Sequence, residues 1–137
     1  MNTDEDFADE DLEPNPGLRA LTNRIIGCAI AVHRAIGPGF AETVYQKALE
    51  LEFAAHGVVF LAQAPLRVKY RDVLVGEGRA DLIVAGLVVV ELKSVDELAS
   101  VHIAQTLSYL RASGLKVGIL INFNVKKLVD GVRRVSL

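Results

Sequence analysis

Apolar residues after the Pro14-Asn15-Pro16-Gly17 breaker recur at Leu18, Leu21, Ile25, Cys28, Val32 and Ile36. Steps of three and four predict an amphipathic helix, ended by Gly37-Pro38-Gly39. Cys28 falls on that stripe and reads as core rather than as a nucleophile. A second helix is expected from about Ala41 to Gly57, with Val44, Ala48, Leu51 and Ala55 as its stripe. Glu42 lies in its first turn, where the helix dipole favours an acid.

From Val58 the period becomes strand-like. VVFLAQ, LRVKY, RADLIV and LVVVELKS are short segments rich in β-branched residues, punctuated by Pro65, Arg71-Asp72, Gly76-Glu77-Gly78 and Ala85-Gly86. They predict four strands. Ser94-Val95-Asp96-Glu97 has capping-box spacing, so a third helix is expected to follow, running to about Ala112 and stopped by Gly114. VGILIN reads as a strand buried on both faces. A short VKKLVDG segment and a final VRRVS strand complete the chain. The order α-α-β-β-β-β-α-β-β suggests a layered α/β sandwich.

Composition narrows the class. With 137 residues, 51% hydrophobic and 23% charged, the chain can build one compact core, and bulk disorder is excluded. A lone Cys28 excludes an internal disulfide framework and a multi-cysteine zinc site. No charge-free apolar run approaches the ~20 residues of a membrane span. The acidic start is the reverse of a basic signal peptide, so a cytoplasmic protein is expected. Residues 1–13 hold seven acids and no base, leaving the other 124 residues at +5. The expectation is an acidic, disordered tail over residues 1–17 and a folded domain over 18–137. A sharper alternative is a tail that competes with a polyanion for the basic body.

The strand LVVVELKS carries the most informative chemistry. Glu91 and Lys93 are two apart and share a face, with Val90 and Leu92 on the other. Charge in so apolar a strand is costly unless paired or metal-bound. One reading is a simple Glu–Lys ion pair at a strand end. Asp81, one hairpin earlier, shifts the balance: two carboxylates in one place repel and call for a cation between them. Hard divalent cations take such oxygen ligands, and Asp…Glu-x-Lys is a sensible phosphodiester hydrolysis site. On the third helix His102, Gln105 and Tyr109 share a face, while Ile103, Leu107 and Leu110 occupy another. Gln105 can bond a phosphate or a bound water. His102 also reads as a helix-start residue, and Tyr109 as core packing with its hydroxyl at the edge.

Metal sharing also sets a register. A two-residue loop at Ala85-Gly86 would leave Asp81 and Glu91 on opposite faces. A three-residue connection, Ala85-Gly86-Leu87, or a bulge, would set them opposite each other. The expectation is one of these.

GFAETVY (Gly39, Glu42, Tyr45) resembles the motif of the GxxExxY family of small bacterial proteins, a family assigned to the PD-(D/E)xK nuclease superfamily. The resemblance spans about Leu21 to Val135 and includes VHRAIGPGF, EGRADLIV, VELKS, HIAQTLSYL, GILINFNV and GVRRV. It implies a restriction-endonuclease-like sandwich, a central mixed β-sheet flanked by helices. It also implies roles for five residues. Glu42 resembles the first-helix acid that approaches the metal, Asp81 the first motif carboxylate, Glu91 and Lys93 the Glu-x-Lys pair, and Gln105 the helix glutamine. Ala80 stands where the superfamily's motif has proline. The implied activity is Mg²⁺-dependent (or Mn²⁺-dependent) endo- or exonucleolytic cleavage of DNA or RNA, with Asp81 and Glu91 as metal ligands and Glu42 nearby or holding a second ion.

A competing class is a non-catalytic nucleic-acid-binding or protein-interaction module on the same scaffold. A body charge of +5 and 6% aromatics, with no Trp, are modest for a nucleic-acid binder. A nuclease of this size is expected to be non-specific, structure-specific or partnered, through a homodimer or a protein partner. Lys126, Lys127, Arg133 and Arg134 are the candidate phosphate contacts, with solvated strand-edge charge as the alternative.

Overall fold

The computed structural model describes residues 15–137. The acidic stretch before Pro14 lies outside the described residues. Helix α1 (Pro16–Ile36) starts inside the segment assigned to the tail, because Asn15 caps it. The Asn15 side chain accepts from the Gly17 and Leu18 N–H groups at 2.8 and 3.2 Å, and Pro16 supplies the first helical φ. Pro16 and Gly17, expected in the tail, are thus the first residues of α1. Gly37, at φ 79°, closes α1 as expected.

Helix α2 (Glu42–Ala55) buries Tyr45, Leu49 and Phe53. The expected stripe is one position out of phase: Val44 and Leu51 are exposed, Leu51 by 74%. One residue is 100° of helix rotation. The larger apolar surface of Tyr45 and Phe53 sets the phase, and Tyr45 can be buried because its hydroxyl is satisfied. It donates to the Gly37 carbonyl at 2.6 Å and accepts from the Phe40 N–H, while the ring stacks on Phe123 at 4.5 Å. Tyr45 of the GFAETVY motif is thus a strut that fixes the loop leading to Glu42.

Three strands, not four, precede the third helix. VVFLAQ and LRVKY merge into one 11-residue strand, β1 (Phe60–Tyr70). Pro65 is tolerated within it because β1 is an edge strand with a partner on one side only. Arg71 and Asp72, at φ 52° and 65°, make the tight turn. Gly76-Glu77-Gly78, read as punctuation, instead lies inside β2 (Val73–Val84). β3 (Val88–Lys93) follows. Helix α3 (Ser100–Ser113) starts later than the Ser94 capping box implied. Ser94 Oγ is occupied by the Phe40 carbonyl at 2.6 Å, and His102 Nδ1 accepts the Ala99 N–H at 2.9 Å instead. β4 (Val117–Asn122) is buried at all six positions, as expected for a central strand. A 3₁₀ turn (Leu128–Gly131) and β5 (Val132–Ser136) end the chain.

The sheet is mixed and ordered β1-β2-β3-β4-β5. β3 and β4 are parallel, joined by the α3 crossover, and the other neighbours are antiparallel. α1 and α2 cover one face through Ile25, Leu49, Phe53, Leu82, Val90 and Ile119. α3 covers the other through Leu110, packed with Leu66, Ala80, Val89 and Val135. Two apolar faces need two covering layers, so the α/β sandwich expected from element order is the architecture found.

Candidate active site

The β2–β3 connection decides where the acids go. The Leu87 N–H donates to the Val84 carbonyl at 2.9 Å, with Ala85 and Gly86 at φ 54° and 67°. Val84 pairs with Val88, Ile83 with Val89 and Leu82 with Val90. The connection is the three-residue one, Ala85-Gly86-Leu87, and its register brings Asp81 opposite Glu91. Leu82 and Val90 belong to the α1–α2 core, so alternation turns both acids toward α3.

At Asp81 the ladder stops and side chains take over. The Asp81 N–H donates to Glu91 Oε2 at 2.7 Å, and the Leu92 N–H donates to Asp81 Oδ2 at 2.8 Å. Each carboxylate thus accepts a backbone N–H from the other's strand. On the β1 side the register runs Ala62↔Leu82 and Ala64↔Ala80, but Gln63 and Asp81 between them do not pair. Gln63 sits at φ 51°, a left-handed conformation unfavourable for a residue with a Cβ. This break swaps faces: Phe60 and Ala62 pack on the α1–α2 core, Ala64 and Leu66 on the α3 core.

Burial makes the pair electrostatically strained. Glu91 is 3% exposed. Desolvation first, then repulsion from Asp81 and more weakly from Glu42, pushes its carboxyl up to about 8, against the Asp81 N–H and Lys93, which pull it down. Desolvation also raises Asp81, opposed by the Leu92 N–H, Lys93 and the Gln63 amide. An added cation between them would relieve both.

The predicted neighbours fall around this pair. Lys93 Nζ donates to Gln105 Oε1 at 3.2 Å, so α3 fixes the ammonium beside the acids. Tyr109, one turn on, contacts the Arg79 backbone and the Gln105 side chain, and burial and then the negative charges of Glu91 and Asp81 raise its hydroxyl. Gly78 leaves room for this ring, since a Cβ there would lie 3.2 Å from it. Glu42 opens α2 on the exposed rim, close enough for its charge to act on Glu91.

Other candidates have different partners. His102 caps α3 through its own ring nitrogen. Arg134 is tied to α1, bonding Thr22 Oγ1 at 2.6 Å and Asn23 Oδ1 at 2.8 Å. Arg133 donates to the Asp130 and Val132 carbonyls. Opposite Leu120 and Ile119, these two arginines point to opposite sheet faces and cannot form one patch. Lys126 and Lys127 are exposed in the loop after β4, at the end of the sheet where Lys93 pairs with Asn122.

Three supporting residues escaped the sequence reading. Gln46 Nε2 reaches the Asp81 carbonyl at 3.4 Å and Glu50 Oε2 at 3.0 Å, while its Oε1 accepts from Gln63 Nε2 at 2.9 Å. Gln46 and Gln63 thereby serve the backbone and carboxylate that the ladder leaves unserved. Asn122, fully buried, clamps the loop after Lys93: Oδ1 accepts the Val95 and Asn124 N–H groups, and Nδ2 donates to the Val95 carbonyl. Asn122 alone had a sequence signal, as the polar end of a wholly buried strand.

Among the described residues no three His, Cys, Asp or Glu side chains form a group able to hold a metal ion, so Glu42 does not complete a three-ligand set with Asp81 and Glu91. The pair itself fits a hard divalent cation. Each carboxylate gives one oxygen to a backbone N–H and keeps the other clear of the backbone, and ions such as Mg²⁺ bind through one or two carboxylates and retain water. No helix among the described residues is long and apolar enough to cross a membrane.

Searches of curated proteins and of solved structures returned no match. A family model described as the PD-(D/E)XK nuclease superfamily matches residues 19–135. That match takes in α2, α3 and β1 to β4 whole, with most of α1 and β5, and the five-stranded mixed sheet with its helices is consistent with a restriction-endonuclease-like fold. With Asp81, Glu91 and Lys93 gathered on one face of that sheet, the chain belongs to the PD-(D/E)XK nuclease superfamily.

Proposed function

We propose that this protein is a metal-dependent phosphodiesterase that cleaves DNA or RNA, and that it falls in the GxxExxY group of its superfamily. The observation that carries the reading is the reciprocal Asp81–Glu91 arrangement, two acids held together at an energetic cost the fold does not need. Asp81 and Glu91 are the metal ligands, with Mg²⁺ the natural ion for two carboxylates and Mn²⁺ a working substitute. A bound divalent ion supplies Lewis-acid stabilisation of the phosphate and a lowered pKa for attacking water.

The chain's own groups do the rest. Lys93, oriented by Gln105, places a positive charge where negative charge develops on the phosphate. Glu42, exposed in the first turn of α2 and acting on Glu91 through its charge, suits a role near the metal. Tyr109 bounds the site on the α3 side. Lys126 and Lys127 are outlying phosphate contacts. Recognition beyond the backbone falls to a second copy or a protein partner, in a cytoplasmic setting.

The test is cleavage of single- and double-stranded nucleic acid with Mg²⁺ or Mn²⁺, compared with Glu91→Ala and Lys93→Ala. Both substitutions should abolish it; cleavage that survives Glu91→Ala would come from a contaminant. The second reading is a non-catalytic binding module, favoured by the lack of a third converging ligand among the described residues. It predicts no Mg²⁺-dependent rise in melting temperature, whereas a metal site predicts a rise that Asp81→Ala removes.

A further inference from the structure

Among the described residues, only Gln63 takes a left-handed conformation inside a strand. Its φ is 51°, whereas the other non-glycine residues with positive φ, Arg71, Asp72 and Ala85, sit in the two hairpin turns. Such a conformation costs free energy in a residue with a Cβ, and it persists only where the surroundings require it. The alternation of β1 shows what it achieves. Ala62 packs on the α1–α2 core, so a regular strand would send the Gln63 side chain toward α3. At φ 51° the side chain meets α2 instead, where Nε2 donates to Gln46 Oε1 at 2.9 Å.

The further contacts of this pair lie at Asp81. Gln46 Nε2 reaches the Asp81 carbonyl at 3.4 Å and Glu50 Oε2 at 3.0 Å, so Glu50 fixes which way the Gln46 amide is turned. The Gln63 amide lies close enough to the Asp81 carboxylate to stabilise its charge. Asp81 itself has no ladder partner on β1. Two side-chain amides therefore stand in for the strand pairing that holds its neighbours Ala80 and Leu82, and one of them comes from the helical layer. A break that served only to turn the outer hairpin toward α3 would need no amide here, and glycine would make the same turn at lower cost.

We infer that Gln63 and Gln46 are a positioning pair for Asp81, a strained strand residue and a helix residue that together hold the Asp81 peptide and carboxylate in line with Glu91. The purpose of that alignment rests on the metal-ligand reading of the two acids, but the alignment itself can be measured without metal. The Leu92 N–H reports it, because it donates to Asp81 Oδ2 at 2.8 Å.

The experiment is amide hydrogen exchange by NMR on the whole chain in metal-free buffer, with calorimetric Mn²⁺ titration of the same samples. Gln63→Gly keeps the left-handed backbone and deletes the amide, and Gln63 is exposed, so the fold persists. Gln46→Met keeps the bulk and deletes the hydrogen bonds. In each variant the Leu92 N–H should exchange about 10-fold faster relative to the amides of β4, a ratio that a uniform loss of stability leaves unchanged. Each should also bind Mn²⁺ about 10-fold more weakly, the usual consequence of losing a group that orients a metal ligand. The double variant should match the single ones rather than multiply them, because the two amides act as one unit. Lys47→Ala, exposed beside Gln46 on α2, should change neither readout. An unchanged Leu92 ratio in both single variants, or effects that multiply in the double variant, overturns the inference. A wild type that binds no Mn²⁺, with Leu92 exchange still accelerated in the variants, upholds the positioning pair and sinks the metal reading. Mn²⁺ bound equally by wild type and variants, with the ratio unchanged, does the reverse.

Discussion

β3 has two borders, and they are built differently. Toward β4 the register is unbroken for six residues, from Val88↔Val117 to Lys93↔Asn122. Toward β2 it lasts three pairs and then yields to carboxylate–backbone bonds at Asp81 and Glu91. The contrast is sharpest at one level of the sheet, where buried Leu120 pairs with buried Glu91. Leu120 gains the hydrophobic effect at that depth, whereas Glu91 loses hydration there and faces another acid. A strand that could have been apolar on both borders keeps a repulsive pair on one, which is the mark of a site rather than of a core.

Breaking the acidic border should have the largest effect. Glu91→Gln keeps the shape and removes the charge, so metal-dependent cleavage should fall by about 10³-fold or more, equivalent to roughly 4 kcal/mol in the barrier. The same variant should melt higher than wild type in metal-free buffer at pH 8. A lower melting temperature there would mean that the Glu91 charge stabilises the fold. The apolar border gives the opposite pattern. Leu120→Ala should cost about 3 kcal/mol in denaturant unfolding, while the activity of the protein that remains folded persists.

The pH profile separates the borders further. Glu91 has a raised carboxyl pKa in the folded state, so the native protein holds a proton that the unfolded chain has released. Stability without metal should therefore fall as pH rises from about 4.5 toward about 8, by an amount on the order of 5 kcal/mol, and level off above. Glu91→Gln should lack most of that slope. A wild-type profile that rises across this range would contradict the burial argument. The smallest effect concerns the ladder break at Gln63. Glycine ordinarily weakens a strand relative to alanine, but at φ 51° the order should invert, with Gln63→Gly about 1 kcal/mol more stable than Gln63→Ala. The usual order, read by thermal unfolding, would show that the left-handed turn relaxes in solution.

Local chemistry made much of this molecule legible in the sequence. The α1 stripe, the Gly37 and Gly114 stops, the buried run of β4 and the same-face spacing of Glu91 and Lys93 depend on neighbours within a turn or a strand, so periodicity reveals them. The three-residue β2–β3 connection was legible as one of two alternatives, and Gly86 marked where a positive φ is cheap. The merging of two expected strands into β1 was not, because Pro65 signals a break unless the strand is known to be an edge.

What the tertiary structure alone decided involves residues far apart in the chain. The phase of α2 was set by Tyr45 meeting Phe123, a stacking partner 78 positions away. Gln46 and Gln63 gained their roles only when α2 and β1 met at the Asp81 backbone, and neither amide carries a periodic signal. Arg133 and Arg134 were parted by strand alternation, and Arg134 was tied to α1 through Thr22 and Asn23. Sequence spacing fixes what neighbours along one element share, because backbone geometry is local. Which charges converge is fixed by the packing of elements, because hydrophobic burial is indifferent to the polar groups it brings together.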